Sequence, residues 1–167
     1  MRSKRAGLAV AALLSAVSAV GYSGGPAAAA TTTEYVSDNC AFMNCSEGDL
    51  ILNYHSVAVS GQGNPSGSFA QFYGNIYDLA GTYVSYNGAT AVHYVYVFFK
   101  GQGDGAGQAV KNNAASANNC STVDGYRVYY NSGYAGHSQS IPHYYGCGSS
   151  TNLDATLKNN NASLHFA

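Results

Sequence analysis

The sequence is poor in charge and contains no tryptophan. Seven Lys and Arg residues stand against eight Asp and Glu residues, and together they make up only 9% of the 167 positions. Beyond the first 30 residues the basic side chains are scattered singly, at Lys100, Lys111, Arg127 and Lys158. Because proteins that bind nucleic acids carry clustered positive charge, this distribution argues against a nucleic-acid partner.

Signatures of catalysis are also missing. The sequence contains no Gly-x-Ser-x-Gly and no His-Glu-x-x-His, the patterns of common hydrolases and metalloproteases. The glycine-rich stretch 100–108 lacks the Lys-Ser/Thr that follows a phosphate-binding loop. Eight dispersed acidic residues give no reason to select two as a catalytic pair. We therefore predict a non-enzymatic protein, with no catalytic and no cofactor-binding residues.

Helical periodicity is a further absence. Outside the N-terminal leader, no apolar pattern with a 3.6-residue period lasts for three turns. Short runs of β-branched and aromatic residues alternate instead with Gly- and Ser-rich turns, which predicts an all-β sandwich or barrel. The predicted strands span 50–54, 69–77, 83–86, 91–99, 126–130, 138–145 and 153–157, and residues 31–38 are predicted to form a frayed extension.

The N-terminus has the three parts of a secretory signal peptide. A basic start precedes a short apolar run over 6–20 and a small-residue cleavage site at 28–30. The run is too short and too weakly apolar for a membrane span, and no later stretch approaches the ~20 apolar residues that one needs. We therefore expect residues 1–30 to be removed. The remaining 31–167 should form one secreted (extracellular), monomeric domain with four basic and eight acidic side chains, a net charge of −4.

All four cysteines lie in this exported part, at Cys40, Cys45, Cys120 and Cys147. An even number in a secreted chain of this size predicts two disulfides. Three connectivities are possible. A bond from Cys40 to Cys45 would close a tight loop and would leave Cys120 to pair with Cys147. No Cys or His spacing is typical of a zinc site.

The sequence also contains an internal duplication. Lys111-Asn112-Asn113-Ala114-Ala115-Ser116 returns 47 positions later as Lys158-Asn159-Asn160-Asn161-Ala162-Ser163, and Asn53-Tyr54-His55-Ser56 is echoed 76 positions later by Tyr129-Tyr130-Asn131-Ser132. The first copy is therefore longer by 29 residues, and nearly all of the extra length lies between Leu79 and Lys111. Two copies are too few for a solenoid. We predict one pseudo-twofold domain, with unit one at about 45–119 and unit two at about 120–167.

The extra length in unit one predicts a hairpin. Residues 83–86 and 91–99 read as two strands around Asn87-Gly88, a strong hairpin signal. Both alternating faces of the second strand are apolar, so it is either buried on both sides or covers a partner. Since the shorter second copy manages without this segment, we predict a partner contact at Val92, Tyr94, Tyr96 and Phe98.

Tyr129-x-x-x-x-Tyr134-x-Gly136, with Ser138 just beyond, resembles the signature of the βγ-crystallin Greek key. The resemblance implies an aromatic pair over a folded hairpin and a glycine in a conformation that other residues resist. Together with the leader and Cys40-x-x-x-x-Cys45, the chain resembles secreted actinobacterial proteins grouped with the crystallin-fold metalloproteinase inhibitors. This resemblance implies a βγ-crystallin-like sandwich of two Greek keys, with the hairpin inserted in the first.

The two Asn-Asn-x-x-Ser segments resemble the calcium-binding pattern of microbial members of that superfamily. The resemblance implies a calcium site with ligands from Asn112, Ser116, Asn159 and Ser163, joined by the backbone carbonyls of Ala114 and Asn161. These oxygens are all neutral, so tight binding would need Asp78, Asp124 or Asp154. The alternative is that the Asn and Ser side chains bond nearby backbone and fix a turn.

Three functions follow as expectations. The first is an inhibitor of an extracellular protease, implied by the resemblance. The second is a calcium-stabilised structural or envelope-associated module, and the third is a toxin-like or carbohydrate-binding secreted protein. The 15 tyrosines suit a recognition surface, although β-sandwiches also place Tyr on half-exposed strands.

Overall fold

The structure, a computed structural model, describes residues 30–86, 90–99, 103–143 and 147–167. Ten strands form nearly all of its regular structure: β1 (Ala30–Val36), β2 (Leu50–Asn53), β3 (Phe69–Phe72), β4 (Thr82–Tyr86), β5 (Thr90–Tyr96), β6 (Ser116–Asn119), β7 (Tyr126–Asn131), β8 (Ala135–Ile141), β9 (Thr151–Asn152) and β10 (Ser163–Phe166). A 3-10 turn spans Asn39–Ala41. The all-β prediction is therefore confirmed. The predicted leader and the Asn87-Gly88 turn lie outside the described residues.

Two of the three sheets repeat the same strand pairing. One has the order β3-β2-β6-β9 and the other β10-β7-β8. Leu52 pairs with Ala117 in the first sheet and Val128 with Leu164 in the second. Val128 lies 76 positions after Leu52, and Leu164 lies 47 positions after Ala117, the two offsets of the sequence duplication. The duplication is thus reproduced in the hydrogen-bond register.

Each of these sheets is completed by backbone from the opposite copy. β9, from the second half of the chain, pairs with β6, and Ile76, from the first half, bridges to Leu164. One core cluster lies between the sheets and includes fully buried Leu50, Leu52 and Phe72 from the first half with Val128 and Leu164 from the second. The two copies therefore form a single core.

The third sheet has the order β1-β5-β4 and consists of the inserted hairpin and the N-terminal strand. The predicted frayed extension over 31–38 is wrong, because β1 pairs in parallel with β5 along its whole length, from Ala30 opposite Thr90 to Val36 opposite Tyr96. The partner strand lies some 60 positions away in sequence, so no local pattern indicated the pairing.

The predicted partner contact is not on an accessible face. Val92, Tyr94, Tyr96 and Phe98 are between 0% and 8% exposed. The ring of Phe42 stacks on Tyr94 with a centroid distance of 4.2 Å. Burial in the core uses these four side chains and leaves none of them free to touch a partner, which corrects that prediction.

The predicted disulfides are formed. Cys40 pairs with Cys45 and Cys120 with Cys147, with Cα–Cα distances of 5.0 and 4.8 Å, and no described cysteine is free. The strand predicted over 153–157 is instead a turn, since the Asp154 carboxylate accepts hydrogen bonds from the Thr156 and Leu157 amides. No helix in the described ranges is long and apolar enough to cross a membrane.

Candidate functional site

The two Asn-rich segments form turns that cap each other. Asn112 and Asn159 have φ angles of 63° and 59°, a left-handed conformation that asparagine tolerates better than most residues. The Asn112 amide donates to the Asn161 carbonyl oxygen at 2.8 Å, and the Asn159 amide donates to that of Ala114 at 2.9 Å. Each copy therefore satisfies backbone groups of the other, and the two carbonyls predicted as calcium ligands take part in this exchange.

Ser116 and Ser163 fix the two turns from inside, and both are fully buried. The Ser116 hydroxyl donates to the His55 carbonyl oxygen at 2.7 Å, and the Ser163 hydroxyl donates to that of Asn131 at the same distance. Asn53 Nδ2 donates to Ser116 Oγ at 3.2 Å. Both hydroxyls are thus committed to hydrogen bonds within the protein, as the turn-fixing alternative predicts.

A cleft lies beside each turn. Cleft one has a volume of about 560 Å³ and is lined by Tyr54, His55, Ser56, Ser66, Asn113, Ala115, Lys158 and Asn159. Cleft two has a volume of about 210 Å³ and is lined by Tyr130, Asn131, Ser132, Lys111, Asn112, Asn160 and Ala162. Apart from Ser66, the two linings correspond position by position through the offsets of 47 and 76.

The clefts are built crosswise. Asn159, from the second copy, lines cleft one, whose His55 carbonyl is held by Ser116 of the first copy. Asn112 lines cleft two, whose Asn131 carbonyl is held by Ser163. The four residues predicted as calcium ligands therefore do not form one group; they divide into two crossed pairs.

The electrostatics of the two clefts differ. Lys111 and Ser132 line cleft two, whereas Asp78 is not among its lining residues. The Lys111 ammonium nitrogen lies 2.9 Å from Asp78 Oδ1 and 2.9 Å from Ser132 Oγ. Burial acts to raise the pKa of Asp78, but hydrogen bonds from the Ala80 amide, Lys111 and Ser132, together with the Lys111 charge, outweigh it and lower that pKa. The carboxylate is therefore held in its charged form.

In cleft one the position equivalent to Asp78 is Asn152, which carries no charge. The Asn152 side chain forms two hydrogen bonds with the backbone of Val57: Oδ1 accepts from the amide and Nδ2 donates to the carbonyl oxygen, both at 2.9 Å. His55, which lines cleft one, places Nε2 2.9 Å from a carboxylate oxygen of Asp104. Cleft one thus presents neutral oxygens and the Lys158 side chain, without an equivalent of the Asp78 carboxylate.

The other two acidic residues suggested as calcium ligands lie elsewhere. Asp154 pairs with His137 at 2.6 Å, and the hydrogen bond from His137 outweighs desolvation and lowers the pKa of Asp154. The Asp124 carboxylate bonds the Ser121 hydroxyl at 3.4 Å. Neither lines a cleft. Within the described ranges, no three His, Cys, Asp or Glu side chains come together as a metal site.

A second candidate site is the outer face of the β1-β5-β4 sheet, on the opposite side from Tyr94 and Tyr96. The strand register places eight side chains on this face: Thr31, Thr33 and Tyr35 of β1, Ala91, His93 and Val95 of β5, and Tyr83 and Ser85 of β4. Tyr83 is 68% exposed and Tyr35 59%. The Tyr83 ring stacks on His93 at a centroid distance of 4.1 Å and an angle of 6°. We call these eight residues the outer face.

The outer face was not predicted from the sequence, although β1 carries a local strand signal. Three β-branched threonines, Thr31 to Thr33, precede Tyr35 by two positions, and β-branched and aromatic residues are enriched in strands. The apolar richness of β5 drew the prediction to its buried side instead.

The aromatic hairpin of unit two agrees with the Tyr-x-x-x-x-Tyr-x-Gly signature. The rings of Tyr129 and Tyr134 meet at a centroid distance of 6.2 Å and an angle of 63° over the β7-β8 hairpin. Gly136 has a φ of 77°, and a Cβ at this position would lie 2.8 Å from Asn131 Nδ2. The side-chain geometry that the signature implies is therefore present in this chain.

No protein-family model matches the chain, and no curated protein matches its sequence. A solved structure described as "Evolution of the eye lens beta-gamma-crystallin domain fold" is similar over 74% of this chain and 88% of that chain. The sequence identity is 14% and the TM-score is 0.41. This likeness concerns the fold alone.

Proposed function

We propose that the chain is a secreted, non-enzymatic binding protein that contacts an extracellular protease through its outer face. The observation that carries the proposal is the pair of exposed tyrosines, Tyr35 and Tyr83, on a sheet that has no counterpart in unit two. Tyrosine provides wide, rigid contact area with a polar tip, and aromatic anchors are enriched at protein interfaces.

The composition of the outer face supports a protein partner. None of its eight side chains carries a formal charge when His93 is neutral, and depletion of charge is typical of the centre of an interface. β4 is also an edge strand in this sheet. An extended segment of a partner can pair with such an edge through main-chain hydrogen bonds. A protease is chosen as partner because of the resemblance to secreted inhibitors.

The test is an inhibition assay with a thermolysin-like metalloprotease and a serine protease. Because truncation of an interfacial anchor costs about 2 kcal/mol or more, replacing Tyr35 and Tyr83 by Ser should raise the inhibition constant by at least about 30-fold. Tyr130→Ser is the matched control, since Tyr130 is 42% exposed on β7 of unit two. It should inhibit like wild type.

Two results would contradict the proposal in different ways. A folded Tyr35→Ser/Tyr83→Ser variant that inhibits as well as wild type would exclude the outer face as the contact. A wild-type protein that inhibits neither class of protease would exclude the protease as partner.

Calcium binding is a second candidate function, favoured by the lining of cleft one. Ser56, Asn113 and Asn159, which have oxygen-bearing side chains, line this cleft, and calcium prefers six to eight oxygen ligands. Because these ligands are neutral, we expect weak affinity. Thermal unfolding of the wild-type protein with increasing calcium tests this candidate, and a Tm that does not change at millimolar calcium would exclude it.

A further inference from the structure

We infer that cleft two is a cation-binding site that the protein's own Lys111 ammonium group fills, so that a free divalent cation binds there only when this group is removed. The inference concerns a different surface from the outer face and does not depend on protease binding.

The Lys111 ammonium group is in contact with three oxygen atoms. Lys111 Nζ lies 2.9 Å from Asp78 Oδ1, 3.1 Å from Asp78 Oδ2 and 2.9 Å from Ser132 Oγ. Both oxygens of one carboxylate and a hydroxyl oxygen thus converge on a single positive charge. These are hard oxygen donors of the kind that calcium prefers, and the ammonium group shows where they place a cation.

The charged pair is also partly shielded from solvent. The Lys111 and Asp78 side chains are 29% and 35% exposed, so their attraction is screened less than that of a surface pair. Lys111 also lines cleft two, which has a volume of about 210 Å³ against about 560 Å³ for cleft one.

Cleft one contains the residues equivalent to Lys111 and Ser132 but lacks the carboxylate, so it serves as an internal reference. Lys158 is the equivalent of Lys111 and Ser56 is the equivalent of Ser132, but Asn152 replaces Asp78. The Ser56 hydroxyl is buried, and no described group bonds to it. In cleft one, where Asn152 replaces the carboxylate, Lys158 forms no ion pair or hydrogen bond with a described side chain equivalent to those of Lys111. We therefore attribute the position of the Lys111 ammonium group to the Asp78 carboxylate.

Removal of Lys111 should therefore expose a ready-made set of oxygens. Asp78 and Ser132 would be joined by amide oxygens from the lining, which includes Asn112, Asn131 and Asn160. Unlike cleft one, this set contains a full negative charge, and calcium affinity rises with the charge of the ligands. Lys111→Ala should convert cleft two into the stronger calcium site of the pair.

The experiment compares five proteins by thermal unfolding in calcium, with sodium chloride at matched ionic strength as the control: wild type, Asp78→Asn, Lys111→Ala, Lys111→Ala/Asp78→Asn and Lys158→Ala. Without calcium, Lys111→Ala should lower the Tm by about 3 °C. Saturating calcium should then raise its Tm by about 5 °C or more beyond any shift of wild type. The added Asp78→Asn change should abolish that gain, and Lys158→Ala, the matched control, should not produce it.

The outcomes separate this inference from calcium binding at cleft one. A calcium shift in wild type that survives Asp78→Asn belongs to cleft one and leaves the inference intact if Lys111→Ala gains an additional shift. A wild-type shift that Asp78→Asn removes would overturn the inference, because cleft two would already hold calcium. A folded Lys111→Ala variant with no additional shift would overturn it as well.

A second measurement on the wild-type protein requires no variant. Acetylation by a lysine reagent, followed by mass spectrometry, should modify Lys111 several-fold more slowly than Lys158, because the Lys111 amine is held by Asp78 and Ser132. Equal rates for the two lysines would show that the ammonium group is not held in cleft two and would contradict the inference.

Discussion

The two buried serines offer the most direct test of how the turns are held. In Ser163→Ala, the Asn131 carbonyl loses its donor and the Tyr134 amide, which donates to Ser163 Oγ at 3.0 Å, loses its acceptor. An unsatisfied buried polar group costs about 1–3 kcal/mol, so we expect a loss of about 2–3 kcal/mol in the free energy of unfolding. In Ser116→Ala, Asn53 keeps its second bond to Ser150 at 3.1 Å, and the loss should be smaller, about 1–2 kcal/mol.

These losses can be measured by urea unfolding followed by tyrosine fluorescence, which no tryptophan obscures. A loss of 2 kcal/mol should lower the Tm of a domain of this size by roughly 7 °C. Ser56→Ala is the matched control, because its buried hydroxyl has no hydrogen-bond partner among the described residues and its removal should change stability by less than about 0.5 kcal/mol. If Ser116→Ala and Ser163→Ala were as mild as Ser56→Ala, the serines would not be what holds the turns.

Two further predictions concern the backbone and acid stability. Gly136→Ala should lower the free energy of unfolding by at least about 1–2 kcal/mol, the cost of a left-handed residue with a Cβ, because the added Cβ also contacts Asn131. The control is Gly107→Ala: its φ is 80°, but no atom lies within 4 Å of the added Cβ, so only the conformational cost applies. Equal losses for the two variants in urea unfolding would exclude the contact with Asn131. Because the folded pKa of Asp78 is lowered, its pairing stabilises the protein above about pH 4, the unfolded value, and is lost as the pH falls through the folded value. The Tm of wild type should therefore fall more steeply than that of Asp78→Asn between pH 4 and pH 2, and parallel curves would contradict the pKa direction.

The two equivalent strand pairings, β2 with β6 and β7 with β10, correspond to segments that the sequence repeats, so a repeat was detectable without the structure. Each copy contains the same hydrogen bond: Ser116 donates to His55 in the first and Ser163 donates to Asn131 in the second. The two serines are 47 positions apart and the two acceptors are 76 positions apart, the offsets of the sequence duplication. Neither offset requires knowledge of the fold, since a repeated unit must bury the same positions each time it forms.

The remaining features could not be found in this way because their partners are distant and occur once. β1 pairs with an insertion that has no counterpart in unit two. In β5 both alternating faces are apolar, so the pattern does not distinguish the buried face; the packing of Phe42 and Phe72 against Tyr94 and Tyr96 decides it. The ion pair beside cleft two links Lys111 to a carboxylate 33 positions away in the same unit, and no local pattern joins the two positions.

The crosswise construction of the clefts has the symmetry of a twofold dimer joined into one chain, in which residue i of one half contacts residue j of the other, and the reverse. A mutation at Asn112 or Asn159 therefore acts on the cleft of the opposite unit. Each cleft is lined by residues of both copies, so a substitution in either copy can change the ligand preference of one cleft or of both. The carboxylate of Asp78 and the amide of Asn152 occupy equivalent positions, so the two clefts differ in charge while the backbone exchange between the two turns is the same.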